Sequence, residues 1–413
     1  VQESREINGG DGLATIFDRT GSGVTVCQMR TQLRWIKRHA PELLDQAATA
    51  FHCKDWLYFN LTGERATDPT EGTFTFGDFR TLSYSDDVLG ALELEDLKHL
   101  LPPMVDGAKT AHGLTAAAAK ATGLPEGLPV TLSYVDVMCS ALASGLHDMA
   151  KAPGLSVVGS TAIHLRFAPN VDAVQLPPHP TGYTMPFPDR SYAQMQINMA
   201  GTLTIDWMTD LARDVLASEG VDRNRTDILA AMDDRVRNAK LGSAIFHPYI
   251  SPAGERGPFV EPDARASFTG LDQSVGFFDM MRAVYEGLAF AARDCYSAMG
   301  PIPGEVRVTG GAARSTEIKQ IMADVLGCPV RGTHRQETGA AGAAMIAALQ
   351  LGLYPDVDTC TQEWVAPHTG EAVQPDPGQA GEYKKLFEIY QQTRQAMEPL
   401  WSPLVAARRE KVS

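Results

Sequence analysis

Three short stretches of this sequence place reactive residue types where chemistry is possible. Asp136 closes the run Leu128-Pro129-Val130-Thr131-Leu132-Ser133-Tyr134-Val135, read as a buried strand that meets a helix of small residues at Val137. In open α/β sheets ligands collect outside the carboxyl ends of strands, and a carboxylate there can take a proton from a substrate hydroxyl. An aspartate just before an apolar helix is equally a good N-cap. Gly159-Ser160-Thr161 interrupts an alternating segment over 155–167 and could bring backbone amides and hydroxyls to a phosphate. The plainer reading is a hairpin turn. Gly310-Gly311 follows an expected strand at 305–308 and precedes an expected helix at 316–326 with Ser315 as N-cap. Such a position either admits a nucleotide to the amides of a helix start or merely packs and caps the helix. Neither GxGxxG nor GxxxxGK[ST] occurs, so a dinucleotide site, and with it a nicotinamide dehydrogenase, and a Walker-type loop lack their fingerprints.

The elements that must position these residues follow from apolar spacing. Helices are expected at 31–40, 54–61, 93–101 and 116–122, with a further turn opened by Pro41 at Glu42. After the strand ending at Asp136 come a helix at 137–146, a hairpin at 155–167, and helices at 204–217, 228–239 and 278–299. A short strand at 329–330 and helices at 337–351 and 382–400 complete the chain. Gly339 and Gly342, among alanines, allow close helix packing in the first of these, or a wall of a nucleotide cleft. Residues 249–258 are too rich in turn formers for regular structure and form an ordinary loop or a functional one at the cleft. Strand–helix alternation with glycine turns at strand ends predicts an α/β fold.

Composition narrows the class. A chain of 413 residues exceeds one ordinary core and predicts two or more domains, and 44% hydrophobic residues suffice to fill them. The net charge of -14 disfavours nucleic acid and anionic membrane as partners. No apolar run reaches the length of a membrane span, and the polar, glycine-rich start over 1–12 does not read as a signal peptide. Six scattered cysteines without CxxC predict free thiols in a reducing cytoplasm, and ten dispersed histidines suggest no metal cage.

Taken together and in this order, the motifs resemble the FGGY family of carbohydrate kinases. Ala266-Ser267-Phe268-Thr269-Gly270-Leu271, seven residues, then Asp279-Met280-Met281-Arg282-Ala283-Val284-Tyr285-Glu286 fit the family's second signature. Pro248-Tyr249 with Gly254-Glu255-Arg256 and Pro258 resembles its Pro-Tyr…Gly-Glu-Arg loop, here two residues longer. Val308 to Ser315 resembles its adenosine motif, and Glu337 to Ala344 the glycine–alanine helix that follows. Tyr134-Val135-Asp136-Val137 resembles the segment of the catalytic aspartate, with valines where the family usually has glycine and Gln or Asn. Similar runs at 31–37, 54–57 and 61–64 extend the likeness over nearly the whole chain.

The resemblance implies two actin-like (ribonuclease H-like) ATPase domains, 1–129 and 130–413, closing around ATP–Mg²⁺ and a sugar. Asp136 would be the base; Gly159, Ser160 and Thr161 would meet the β/γ-phosphates; Gly310, Gly311, Ala312 and Ser315 would hold the adenosine end. Glu71, Thr73 and Tyr134 would contact the acceptor, with Phe74 and Asp78 read as packing and a polar turn. Mg²⁺ would be held mainly by phosphate oxygens. The branch it resembles, of xylulose, L-xylulose and erythritol kinases, implies a neutral ketopentose or short polyol and suggests a homodimer. The family's opening Asp-Gly-Gly/Thr phosphate hairpin has no counterpart, while Gly9 to Leu13 resembles a later segment. Pieces of the first domain are therefore expected to be missing, as if ordered parts of a longer chain were joined. The competing function is a non-catalytic actin-like ATP-binding sensor or scaffold, which retention of Asp136 beside the nucleotide motifs opposes.

Overall fold

Most expected helices form where their end residues predict. Met29–His39 is followed by Pro41–Asp45 with proline in its first turn. Cys53–Thr62 stops at Gly63 and Ala116–Thr122 at Gly123, both glycines in the left-handed conformation. The expected helix at 93–101 is instead only a 3₁₀ turn at Glu95–Leu100, and a short α-helix that was not expected precedes it at Asp86–Ala91. Glu93 lies between them at φ 60°, a backbone state that ends any helix, while its carboxylate meets Arg34 and Arg38 at 3.2 and 3.0 Å. Likewise 228–239 is two short helices, Arg225–Ala230 and Met232–Arg237.

The computed structural model describes residues 2–409, which divide into two units, each discontinuous in sequence. The first holds residues up to 152 with 167–195 and 335–367; the second holds 153–166, 196–334 and the residues from 368 onward. This division does not coincide with the boundary expected near Pro129.

In the first unit Asp136–Ala143 packs on Thr338–Gln350, a helix two hundred residues downstream. Gly342 makes that approach possible, because a Cβ there would lie 1.9 Å from the carbonyl oxygen of Cys139. Gly342→Ala must push the helices apart and is expected to lower stability by about 3 kcal/mol, at the upper end of overpacking effects. A melting temperature unchanged by that substitution would contradict the packing. The strand predicted up to Asp136 is reduced to Pro129–Thr131, paired antiparallel with Ala111–Gly113 alone. From Leu132 the backbone leaves the ladder, and Ser133 takes φ 61°. Asp136 therefore opens a helix after an irregular segment and does not end a central sheet strand.

The second unit carries neighbouring strands of the largest sheet in the order Thr369–Val373, Val330–Thr333, Val306–Gly310, Gly154–Val158 and the greater part of Ala162–Ala168, as far as residue 166. The inner three run parallel, and the last two form the expected hairpin with Val158 opposite Ala162. Phe277–Ala298 is the central helix of this core, burying Met281, Val284, Phe290 and Tyr296 among Val306, Val308 and Ile321. Its buried Arg282 bridges Glu286 at 2.9 Å and the Tyr383 hydroxyl at 3.0 Å, tying the central helix to the final helix Ala380–Arg409.

Candidate active site

In the first unit Asp136 is the first residue of its helix and is exposed. Its Oδ1 accepts the Val137 amide at 2.7 Å, so one oxygen steadies the helix start. The residue before it is held from elsewhere: Val135 N donates to Thr70 Oγ1 at 2.9 Å. Thr70 Oγ1 in turn donates to Asp68 Oδ2 at 2.7 Å, and the same oxygen caps Pro69–Phe76 through Thr70 N at 2.9 Å. Lys54 Nζ lies 2.8 Å from Asp55 Oδ1 and 3.1 Å from Asp68 Oδ1, both carboxylates being buried. Burial opposes the lysine's charge, but Asp68 and Asp55 outweigh it and hold its pKa above the ordinary value. A chain of polar contacts thus runs from Lys54 to the residue preceding Asp136.

The predicted acceptor contacts divide. Glu71 follows Thr70 and is buried, 3.8 Å from His52 Nε2; burial raises its pKa. Thr73 is fully buried and its hydroxyl donates to Pro69 O at 2.6 Å within its own helix, so it is not offered to a ligand. Tyr134 is buried as well, and the same desolvation keeps its phenol protonated. Asp78 accepts the Arg80 amide at 2.8 Å and sits 3.4 Å from Arg19, a polar turn as expected.

In the second unit Val158 and Gly310 are register partners at the ends of adjacent parallel strands. Gly159-Ser160-Thr161 and Gly310-Gly311 therefore emerge side by side at a carboxyl edge, where α/β sheets take ligands. Ser160, Thr161, Gly310 and Gly311 are exposed. Gly310 has φ 84°, and a Cβ on it would meet Val158 O at 2.6 Å, so the fold itself requires glycine. At Gly159 a Cβ would find only Thr161 O, at 4.0 Å; glycine there leaves the backbone bare without being demanded by packing. Exposed hydroxyls beside accessible backbone suit phosphate oxygens. Ala312 is instead sequestered in the core. Ser315 caps Thr316–Leu326 by accepting Ile318 N at 3.0 Å, and its hydroxyl donates to Asp233 Oδ1 at 2.6 Å. Asp233 Oδ2 takes Thr316 N at 2.8 Å, so this helix start is satisfied by a carboxylate.

Comparison with known proteins decides what these parts belong to. The N-terminal domain of the FGGY family of carbohydrate kinases matches residues 3–143 and its C-terminal domain residues 154–351. The chain belongs to the FGGY family of carbohydrate kinases. Erythritol kinase of Brucella abortus is 45% identical over 393 residues, 95% of this chain and 75% of that kinase. Xylulose kinase of Staphylococcus xylosus is 24% identical over 394 residues, 94% of this chain and 77% of that one. The crystal structure of xylulose kinase from Rhodospirillum rubrum superposes with a TM-score of 0.84 at 27% identity, covering 97% of this chain and 78% of the other. The fold is thus the actin-like α/β architecture of FGGY kinases, and the activity is ATP-dependent phosphorylation of a hydroxyl on a small sugar or polyol.

In this FGGY kinase the residues that sequence reading missed are those whose partners lie far along the chain. Asp233 lies in no motif, while Lys54 and Glu255 lie in stretches that resemble the family but carry no local pattern that marks their bonds. All six cysteines are free thiols, and among the described residues no helix is long and apolar enough to cross a membrane. Glu255, of the Gly-Glu-Arg loop, is buried with neutral donors around it, and desolvation pushes its carboxyl up to about 7. The folded chain then keeps a proton that the unfolded chain releases above its ordinary 4.5. This stabilising contribution is complete below that value and is lost as pH rises through about 7. From pH 6 to 8 the loss amounts to about 1.4 kcal/mol. Glu255→Gln, which cannot ionise, is expected to flatten the fall of melting temperature across that interval; an unchanged slope would contradict a titrating carboxyl.

Proposed function

We propose that the acceptor is a short neutral polyol, with erythritol the first candidate, and that a ketopentose such as xylulose is the second. The observation that carries the choice is the 45% identity to erythritol kinase over 95% of the chain, against 24% to xylulose kinase. Asp136 is the base: its carboxylate takes the proton of the attacking hydroxyl while that oxygen bonds the γ-phosphorus and the bond to the bridging β–γ oxygen breaks, releasing ADP. Gly159, Ser160 and Thr161 contact the β/γ-phosphates, and Gly310 with Gly311 lines the adenosine end. Their bare backbone and exposed hydroxyls support this assignment. Mg²⁺, when bound through phosphate oxygens and water, supplies neutralising charge. Glu71 is the acceptor contact retained from the sequence reading. Cytoplasmic residence and a homodimer complete the proposal.

A coupled ADP-release assay across erythritol, glycerol, ribulose and both xylulose enantiomers tests the choice. Erythritol is expected to give the highest kcat/KM by about tenfold, a modest discrimination for neutral hydroxyl patterns. A ketopentose that outperforms it would reverse the order.

A further inference from the structure

The Gly-Glu-Arg loop has no part in the mechanism above, yet its carboxylate is one end of a connected set of bonds in the second unit. Glu255 is 1% exposed, and its backbone is fixed by paired bonds with Glu261 at 2.9 and 3.0 Å. Its Oε1 accepts two amides, Met199 N at 2.9 Å and Arg256 N at 2.8 Å. Just beyond Met199, Gly201 N donates to Ser160 O at 2.7 Å and Thr202 N to Gly159 O at 2.7 Å. The Thr202 hydroxyl adds a third bond to Gly159 O at 3.0 Å. A Cβ at Gly201 would come within 2.5 Å of Gly159 O, so only glycine lets this segment seat against the turn.

The bonds on the other side of the segment have a fixed direction. Asn198 Nδ2 donates to Gly257 O at 2.7 Å, which leaves Asn198 Oδ1 to accept from His164 Nε2 at 3.1 Å. Burial keeps the imidazole neutral, so its proton sits on Nε2 and Nδ1 must accept. Ser156 Oγ, 2.9 Å away, therefore donates to Nδ1 and accepts from the Tyr296 hydroxyl at 3.0 Å. Every hydroxyl proton in the row is committed, and the 198–202 segment is gripped from both the loop and the strand hairpin.

We propose that Glu255 is a positioning residue for ATP: through Met199 and Thr202 it holds the Gly159–Ser160–Thr161 turn in the conformation that receives the phosphates. This deepens the function proposed above and rests on its reading of that turn as the phosphate contact. Glu255 itself touches no reacting atom.

The test separates nucleotide from acceptor kinetics in the full chain. Glu255→Ala frees Met199 N and is expected to raise the KM for ATP about tenfold, the usual scale for misplacing one or two hydrogen bonds, with kcat and the acceptor KM nearly unchanged. Thr202→Val, which removes only the hydroxyl contact at the far end, should raise the same constant by about fivefold. The double variant should add little to Glu255→Ala, because both act on one turn. Ser160→Ala with Thr161→Ala serves as the reference. If the reference variant raises the KM for ATP and neither Glu255→Ala nor Thr202→Val does, Glu255 has no positioning role. A joint fall of kcat and melting temperature with a rise of both KM values would likewise overturn that role and leave Glu255 purely structural. If the reference variant leaves the KM for ATP unchanged, the phosphate reading of the turn falls and the role of Glu255 falls with it.

Discussion

Asp136→Asn is expected to lower kcat by about a thousandfold, within the usual range for removing a general base, while the Kd for ATP stays within about twofold. Asparagine retains an oxygen that accepts the Val137 amide, so the start of the Asp136–Ala143 helix is preserved. What disappears is the basic oxygen at an exposed position, on a segment whose preceding amide is tied to Thr70. Coupled ADP release measures the turnover, and calorimetric titration with ATP measures the binding. The pair of results matters more than either alone. A large loss of turnover at constant ATP affinity separates the base from the nucleotide contacts, and equal melting temperatures exclude general damage. Turnover within about tenfold of the parent would remove proton abstraction by Asp136 from the mechanism. The sensor or scaffold alternative predicts no turnover in the parent at all.

What the sequence disclosed was chiefly local. Phe277–Ala298, Thr316–Leu326 and the hairpin on either side of Gly159 follow from apolar period, a Ser315 cap and a glycine turn, all carried by neighbouring residues. Residues 128–136 misled because their apolar run satisfies the strand pattern, while the forces that set their path lie elsewhere. Proline at 129 has no amide to donate, and Val135 is bonded to a threonine 65 positions upstream. Nor could spacing reveal that the 338–350 helix packs on the 136–143 helix, since no local pattern encodes which helices meet. Thr73 and Ala312 sat in the right stretches but point into helix backbone and core, which a motif cannot tell from a ligand-facing side chain. Glu255 was legible only as a member of a resembling loop; its bonds to Met199 and Arg256 required coordinates.

Lys54→Met is the substitution with the largest expected effect on stability. It leaves Asp55 and Asp68, both 0% exposed, without their shared cation. Breaking a buried ion pair from one side typically removes about 3–5 kcal/mol, because the remaining charge must be neutralised or the site opened. For a chain of this size that corresponds to a fall of roughly 5 °C in melting temperature. The effect should reach the active site, since Asp68 caps the Pro69–Phe76 helix and engages the hydroxyl that holds Val135. The sign of its pH dependence is fixed by the same argument. Without the lysine, desolvation raises the folded pKa of the two aspartates, so the variant gains stability as they protonate in acid. In the parent, burial is outweighed at Asp55 by His52 and Lys54, which hold it below its ordinary value, and at Asp68 burial raises the carboxyl but Lys54 opposes the rise, so the parent gains less there. The deficit should therefore be widest near pH 8 and narrow towards pH 5. Adding Asp68→Asn to Lys54→Met should recover part of the loss, because it removes one unpaired charge while keeping an oxygen for Thr70. Scanning fluorimetry of the three proteins between pH 5 and 8 reads all of this. A deficit under about 1 kcal/mol at pH 8, the scale of an exposed pair, would show that the lysine is not what holds these carboxylates.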